Sequence, residues 1–558
     1  MARRAAPGET VYVPLGGAGE IGMNLYLYGA GPRGARKWII VDLGIGFAGE
    51  TLPGIEVMMP DLSFIESERN NLLAIVLTHA HEDHCGAVAA LWPRLRVPVY
   101  ATKFTAAMLM TRLDEHGLGD DFPLKIVEIG ARLEIGPFRL EYITVTHSIP
   151  EPNGLLIETA AGRVLHTGDW KIDDRPVIGA PTDEARLRAI GADGCDAMVC
   201  DSTNVFREGS SASETDVANH LAEIIAAAPN RVAVTTFSSN VARILSLARA
   251  AQASGREVVV AGRALHRVIA AARETGWLEG AGRFLDQDEG SDLPRGKTLV
   301  LLSGSQGEPR AALARVAREA HPHVTLEAGD LMIFSSKTIP GNETAVGAIE
   351  NLLAARGVEV IDADSHLVHV TGHPRREELK RMYGWVRPRT AIPMHGEMRH
   401  LVEHARLARG CGVDNALVVA NGTMVRLAPG PAEVIDEVAS GRLLRDGDIL
   451  TSGADPAVRE RRRLAVSGAV FVAIVTDERG DVLVDPDLEL IGIPETTGDG
   501  RSLAALVEEA IDGAIDALPG PRRRDPDHLA EMVARAVRSA LAAAWGKRAE
   551  CRVSVTQV

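Results

Sequence analysis

"LTHAHEDHCG", residues 77–86, places His79, His81, Asp83 and His84 within six positions, just after the apolar run "LLAIV". Histidines two apart at a strand end project the same way, so His79 and His81 can grip one ion together. Asp83 and His84 fall where a helix is expected to begin and can turn toward a second ion. A lone histidine at a strand end is usually a satisfied core or surface residue, whereas four potential ligands packed this tightly seldom arise by chance. The expectation is a metal centre with more than one ion. Further candidates end other β-like runs: His147 in "TVTHS", Asp169 in "HTGDW" and His395 in "PMHGE". The reading puts His79, His81 and His147 on one ion and Asp83, His84 and His395 on the other, with Asp169 shared between ions about 3.5–4 Å apart. Nitrogen and carboxylate donors favour zinc or manganese. The expected cofactor is two Zn2+ per chain, with Mn2+ or Mg2+ able to serve in activity. Asp42, closing "WIIVD", would orient a ligand histidine or the metal-bound water.

Charge arithmetic suggests the substrate class. Two divalent ions less Asp83, Asp169 and a bridging hydroxide leave about one positive charge, suited to a phosphodiester and the charge it develops. The net charge of -15 argues against a surface that coats nucleic acid throughout, yet permits a local basic groove. Five scattered cysteines, Cys85, Cys195, Cys200, Cys411 and Cys551, suit a reducing compartment better than a disulfide framework. Apolar runs such as "GAVFVAIV" fall far short of the roughly 20 residues of a membrane span. No signal segment is visible, so a cytoplasmic protein without membrane attachment is expected.

A chain of 558 residues exceeds one core. Short β-like runs separated by glycine turns fill residues 10–45, and strands and helices alternate from 72 to 204, which predicts an α/β sandwich. "GGAGEIG" at 16–22 has the GxGxxG spacing of a dinucleotide loop, but "MNLYLYGAG" continues as a strand rather than opening a helix, so that reading is rejected. From 209 to 362 strand and helix alternate as in an open sheet. "HLVHVTGH" and "TAIPMHGE" are read as strands ending in histidines. A Gly/Pro-rich stretch then precedes a compact α/β tail. The expected divisions are 1–208, 209–362, 363–430 returning to the first domain, a linker at 431–460, and 461–558.

The set formed by Asp42, HxHxDH (79–84), His147 and Asp169 resembles the metallo-β-lactamase superfamily. That set is shared by lactamases, esterases, oxidoreductases and nucleases and does not choose a substrate. "CDSTN" with Asp201, "HVTGH" ending in His373 and "PMHGE" with His395 resemble the three motifs of the β-CASP nuclease branch, in which a histidine at the last motif goes with RNA. "LGGAGEIGMN", "TFSSN", "SGSQGEP" and "HVTGHPRREELK", with the α/β tail, look like the bacterial ribonuclease J family over essentially the whole chain. Thr371 stands where serine is common there, and Met23 where lysine is common.

The resemblance implies an αββα metallo-β-lactamase sandwich with an inserted β-CASP α/β domain and a small C-terminal α/β domain. It implies a 5′-to-3′ exonuclease on 5′-monophosphorylated single-stranded RNA, often with endonuclease activity, acting in RNA maturation and mRNA decay. It also implies dimers or tetramers, and partners in RNA degradation such as a helicase. Ser238, Ser239 and Asn240 in "TFSSN", and His369, Val370, Thr371, Gly372 and His373 in "HVTGH", would hold phosphates. Hydroxyl, amide and backbone donors suit phosphate without reading bases. "FSSN" also reads as a helix N-cap before "VARILSLARA", and both roles can hold at once. Ser305 and Gln306 are further candidates, whereas "RERRR" (459–463) and "RRR" (522–524) read as solvated faces or subunit contacts. In the expected mechanism a bridging hydroxide attacks phosphorus in line, with Asp42, Asp83 and Asp169 serving the centre and His373 stabilising or protonating the leaving oxygen. The competing readings are a lactonase- or thioesterase-like hydrolase, and a non-catalytic RNA-binding scaffold.

Overall fold

The computed structural model describes residues 8–49, 51–119 and 122–558. The chain divides into two compact units, one running to Gly46 and from Met59 to Gly441, the other made of Phe47–Met58 and Arg442–Val558.

Two mixed sheets face each other in the first unit. One has eight strands in the order Glu433–Glu437, Thr423–Ala428, Glu9–Gly16, Leu25–Gly31, Lys37–Val41, Leu72–Val76, Val99–Thr102, Leu124–Val127. The other has seven, from Arg132–Ile135 through Phe138–Thr144, Asn153–Glu158, Arg163–His166, Ala197–Asp201 and Thr390–Met394 to Asn415–Ala416. Alternation decides which side chains go inward. Tyr26, Tyr28, Ile39, Val41, Ala74 and Val76 of the first sheet share one core with Leu155, Ile157, Val164, Ala197 and Val199 of the second. The opposite residues of the second sheet, Leu156, Leu165, Met198 and Cys200, pack with Leu187, Leu379 and Met382 of the helices Glu184–Asp193 and Arg376–Val386. This is the expected sandwich.

The inserted segment forms a separate six-stranded, all-parallel sheet ordered Phe284–Asp286, Glu257–Ala261, Thr298–Leu302, Val232–Thr235, Leu331–Phe334, Glu359–Ile361. Helices cover both faces, so its strands carry continuous apolar runs, such as Val258–Ala261 and Leu299–Leu302, instead of alternating. Val232, Val234, Leu299 and Leu301 face the helices Glu214–Ala227 and Val241–Ala253, whereas Ala233, Val300, Met332 and Phe334 face the helix Glu343–Ala355.

"HLVHVTGH" is irregular rather than a strand. Its carbonyls are taken by side chains: Val368 O accepts from Ser335 Oγ and Arg243 Nη1 at 2.7 Å each, and Gly372 O from His147 Nδ1 at 2.6 Å. The 431–460 stretch is not a bare tether, since it holds the strands Glu433–Glu437, Arg442–Asp446 and Ile449–Ser452 and the start of the helix Pro456–Ser467. Its glycines mark turns between these elements; Gly447 sits at φ 59° in the hairpin turn.

In the second unit the strand Ala469–Thr476 lies between Asp487–Ile491, antiparallel, and Glu550–Gln557, parallel. The helices Leu503–Asp516 and Pro526–Trp545 cover one face through Val507, Ile511, Val533 and Val537. Residues 47–58, expected within the first domain, belong to this unit, where Ile55 packs with Leu444 and Val458.

Candidate metal centre

Every candidate ligand lies at or just past the C-terminal end of a strand. Asp42 follows Lys37–Val41, His79 to His84 follow Leu72–Val76, and His147 follows Phe138–Thr144. Asp169 follows Arg163–His166, Asp201 ends its strand, and His395 follows Thr390–Met394. Strands running the same way put these ends on one edge of the sandwich, and the short helix Glu82–Cys85 turns Asp83 and His84 into it. Asp42 and His395 take left-handed backbone angles, φ 61° and 52°. At Gly372 a Cβ would lie 2.6 Å from the His147 ring, so the close approach of that loop requires glycine.

The side chains assemble into three overlapping groups: His79, His81 and His147; Asp83, His84, Asp169 and His395; and Asp169, Asp201, His373 and His395. In the first, His81 Nδ1 lies 3.1 Å from His79 Nε2 and 3.0 Å from His147 Nε2. In the second, His395 Nε2 is 3.1 Å from Asp83 Oδ2, and His84 Nε2 is 3.1 Å from Asp169 Oδ2. Asp169 Oδ2 is also 3.5 Å from His395 Nε2 and 3.9 Å from His147 Nε2, which places this carboxylate against the first two groups.

Each ring's outer nitrogen is held, and this settles which nitrogen has a free lone pair. The Thr78 hydroxyl donates to Asp42 Oδ2 (2.8 Å), so it accepts from His79 Nδ1–H (2.9 Å). His84 Nδ1 donates to Asp42 Oδ2 at 2.7 Å, and His147 Nδ1 to Gly372 O. The Thr203 hydroxyl donates to Asp201 Oδ1 and accepts from His395 Nδ1–H at 2.7 Å. His81 Nε2 lies 3.1 Å from Ser239 Oγ, a hydroxyl able to accept from it and leave the Nδ1 lone pair free. Two of the three nitrogen–nitrogen edges are thus 3.0 and 3.1 Å, close to the edge of about 3.3 Å expected between nitrogens bound tetrahedrally at 2.0–2.1 Å. Asp169 Oδ1 is buried and has no hydrogen-bond partner. This donor set fits divalent cations.

Burial and charge act in opposite senses on these rings. Burial drives His79 and His147 well below the ordinary imidazole value. Burial acts the same way on His84, but Asp169, Asp83 and Asp42 outweigh it and raise that ring. His373 is pushed up to about 9 against burial, chiefly by Asp201 and then Asp169; its Nδ1 lies 2.8 Å from Asp201 Oδ2.

The remaining candidates divide. Asp42 touches no ligand-facing atom, because its oxygens are spent on Thr78 N, Thr78 Oγ1 and His84 Nδ1, and it positions rather than reacts. Asn240 caps the helix Val241–Ala253 by accepting from Arg243 N, and Ser239 is bonded to His81. Ser238 is partly exposed in the same loop. The Val370 side chain is buried in the core, leaving only its peptide group for a ligand. Thr371 Oγ1 accepts from Asn204 Nδ2 and His373 N, and the His369 ring is partly exposed with a buried, unpartnered Nδ1. Gln306 braces neighbouring loops through Lys337 O, Ile339 N and Asn342 Nδ2. Sequence reasoning gave no role to Asn24, whose Nδ2 reaches Asp83 O and His84 Nε2, nor to Thr78 or Thr203. All three stand inside quoted motifs, but nothing in a polar neutral residue marks it as a brace for a ligand.

Residues 22–181 match the metallo-beta-lactamase superfamily, 229–353 the ribonuclease J beta-CASP domain, 359–418 a Zn-dependent metallo-hydrolase RNA specificity domain, and 456–558 the ribonuclease J C-terminal domain. The chain is 50% identical to ribonuclease J of Sinorhizobium meliloti over 99% of its own length and 98% of that protein's. It is 35% identical to ribonuclease J of Thermus thermophilus, covering 92% and 89% of the two chains. A crystal structure of a protein of unknown function from Enterococcus faecalis covers 75% of this chain and 100% of its own, with a TM-score of 0.51 at 16% identity, a likeness of fold alone. Among the described residues no helix is long and apolar enough to cross a membrane.

Proposed function

From the premise that this chain belongs to the ribonuclease J family and is a metal-dependent ribonuclease, we propose that it degrades 5′-monophosphorylated single-stranded RNA from the 5′ end. It also cuts internally and serves RNA maturation and mRNA decay in the cytoplasm. The observation that carries the reading is the pair of converging ligand groups joined at Asp169.

His79, His81 and His147 would hold one divalent ion and Asp83, His84 and His395 a second, with Asp169 between them; zinc suits the donors best. Such ions supply an activated water and offset charge on the phosphodiester. The chain's own residues do the rest. Asp42, Thr78, Thr203 and the Gly372 carbonyl keep lone pairs facing inward. His373, partly exposed and hydrogen-bonded through Nδ1 to Asp201, is placed to give a proton to the leaving oxygen. Ser238 and the peptide groups of residues 369–373 remain to hold the terminal phosphate, which fixes how far the strand enters. A homodimer or tetramer, and recruitment of a helicase, follow from the family resemblance.

The test follows body-labelled RNA bearing a 5′-monophosphate, the same RNA with a 5′-triphosphate, and a matching DNA. Mononucleotides from the monophosphate RNA, with little from the other two, are expected. Internal fragments from both RNAs without mononucleotides would overturn the end-dependent reading.

A further inference from the structure

A group of cations beside the 369–373 loop has no part in this scheme. Arg207, Lys337 and Arg375 come from three loops tied into one surface. Arg376 N donates to Arg207 O at 3.0 Å, and Asn204 Nδ2 to Thr371 Oγ1 at 2.8 Å. Ser335 Oγ donates to Val368 O, and Gln306 Nε2 to Lys337 O at 3.0 Å. Arg207 and Lys337 are exposed and Arg375 is half-buried, with its Nε unpartnered. Partial burial and the positive charge of Arg207, then that of Arg375, lower the Lys337 pKa, while Asp364 acts in the opposite sense.

Three glutamates of the neighbouring segments are already engaged. Glu208 and Glu403 pair with Arg376 at 3.1 and 2.8 Å, and Glu378 accepts from the amides of Ile172, Ser211 and Arg375. Mutually repelling cations in a chain of net charge -15 are costly without a ligand, and an extended polyanion relieves that repulsion. The loop that carries Arg207 also carries Thr203, which holds His395, so the two Cα atoms lie within about 14 Å even if the chain is fully extended.

We propose that Arg207, Lys337 and Arg375 form a phosphate subsite that grips the RNA backbone next to the cleavage centre. It deepens the ribonuclease reading and rests on it. Charge contacts to phosphate hold the strand without reading its sequence, so the subsite acts alike on unrelated RNAs.

The test measures binding of a 5′-monophosphorylated, 2′-O-methyl phosphorothioate RNA to the metal-loaded full chain across a salt series. Each phosphate contact contributes about 0.7 to the slope of log K against log salt for a single strand. Arg207→Gln and Lys337→Gln should each lower the slope by about 0.7 and the double variant by about 1.4. Metal content should be unchanged, and Arg207→Lys should restore the slope. Arg463→Gln, an equal loss of charge on an exposed helix of the C-terminal unit, should leave it as in the parent. Parent-like slopes in the first two variants, or an equal fall in Arg463→Gln, would overturn the subsite. A parent protein that neither binds nor cleaves RNA would overturn the ribonuclease reading beneath it.

Discussion

Ser239→Ala separates two roles for "TFSSN". The Ser239 hydroxyl lies 3.1 Å from His81 Nε2 and leaves His81 Nδ1 facing His79 and His147. Without it the ring can take the opposite tautomer or turn away, and either change removes a ligand. A neutral hydrogen bond contributes about 0.5–1.5 kcal/mol net, or roughly 2- to 13-fold in affinity. Partners behind metal-binding histidines are typically worth about 10–100-fold. Because His81 is partly exposed and water can replace the hydroxyl, the expected loss is about tenfold, where the two ranges meet. The loss should be confined to one ion, since the Asp83, His84, Asp169 and His395 group is braced by Asp42 and Thr203. Chelator competition followed by elemental analysis, with cobalt as a spectroscopic probe, reads the ions separately. Ser239→Thr keeps the hydroxyl and should stay close to the parent. Unchanged metal retention with a raised KM would refute this reasoning and make Ser239 a substrate contact only.

Asp42→Asn replaces a carboxylate that accepts three hydrogen bonds with an amide that has one acceptor oxygen, and metal affinity at the His84 group should fall about 10–100-fold with the fold retained, as read by native mass spectrometry. Arg243→Met strands Glu214 in the core and should cost about 3–5 kcal/mol in urea unfolding at neutral pH. Burial pushes the Glu214 carboxyl up, but Arg243 and then Lys171 outweigh it and leave it lowered. Its stabilisation is therefore complete above the ordinary glutamate value of about 4.3 and is lost as pH falls through the lower folded value. Glu214→Gln should flatten that acid limb, and an unaltered limb would show that the pair is not responsible. Burial pushes the Cys195 thiol up to about 12 and the Cys551 thiol up to about 11, so both should resist alkylation at pH 8 until the chain unfolds; rapid labelling of the native protein would contradict this.

Much of the centre was legible because metal ligands are chemically distinctive and their spacing repeats strand geometry. His79, His81, Asp83 and His84 needed only a strand end and a helix start, and both are present. Even the long-range partners His147, Asp169 and His395 could be guessed, since each follows an apolar run. The parts that escaped depend on contacts between distant segments. Nothing in "FSSN" says that Ser239 reaches His81, 158 positions away, because a serine serves equally as cap, phosphate donor or brace. "HLVHVTGH" has the β-branched and apolar residues of a strand, but side chains from elsewhere in the fold claim its carbonyls and tertiary contacts override local pattern. The 431–460 stretch looked like a tether because glycine and proline mark hairpin turns and tethers alike. The Arg207, Lys337 and Arg375 surface is invisible in sequence, since its members come from three separate loops.

The account stands or falls on the two ligand groups acting together. The most direct measurement strips the protein with chelator, restores zinc or manganese stepwise, and follows ions bound per chain alongside cleavage of 5′-monophosphorylated RNA. The account predicts that cleavage rises only as the second ion is taken up, with His81→Ala holding at most one ion and remaining inactive. Full cleavage at one ion per chain, or none with both groups filled, would contradict it.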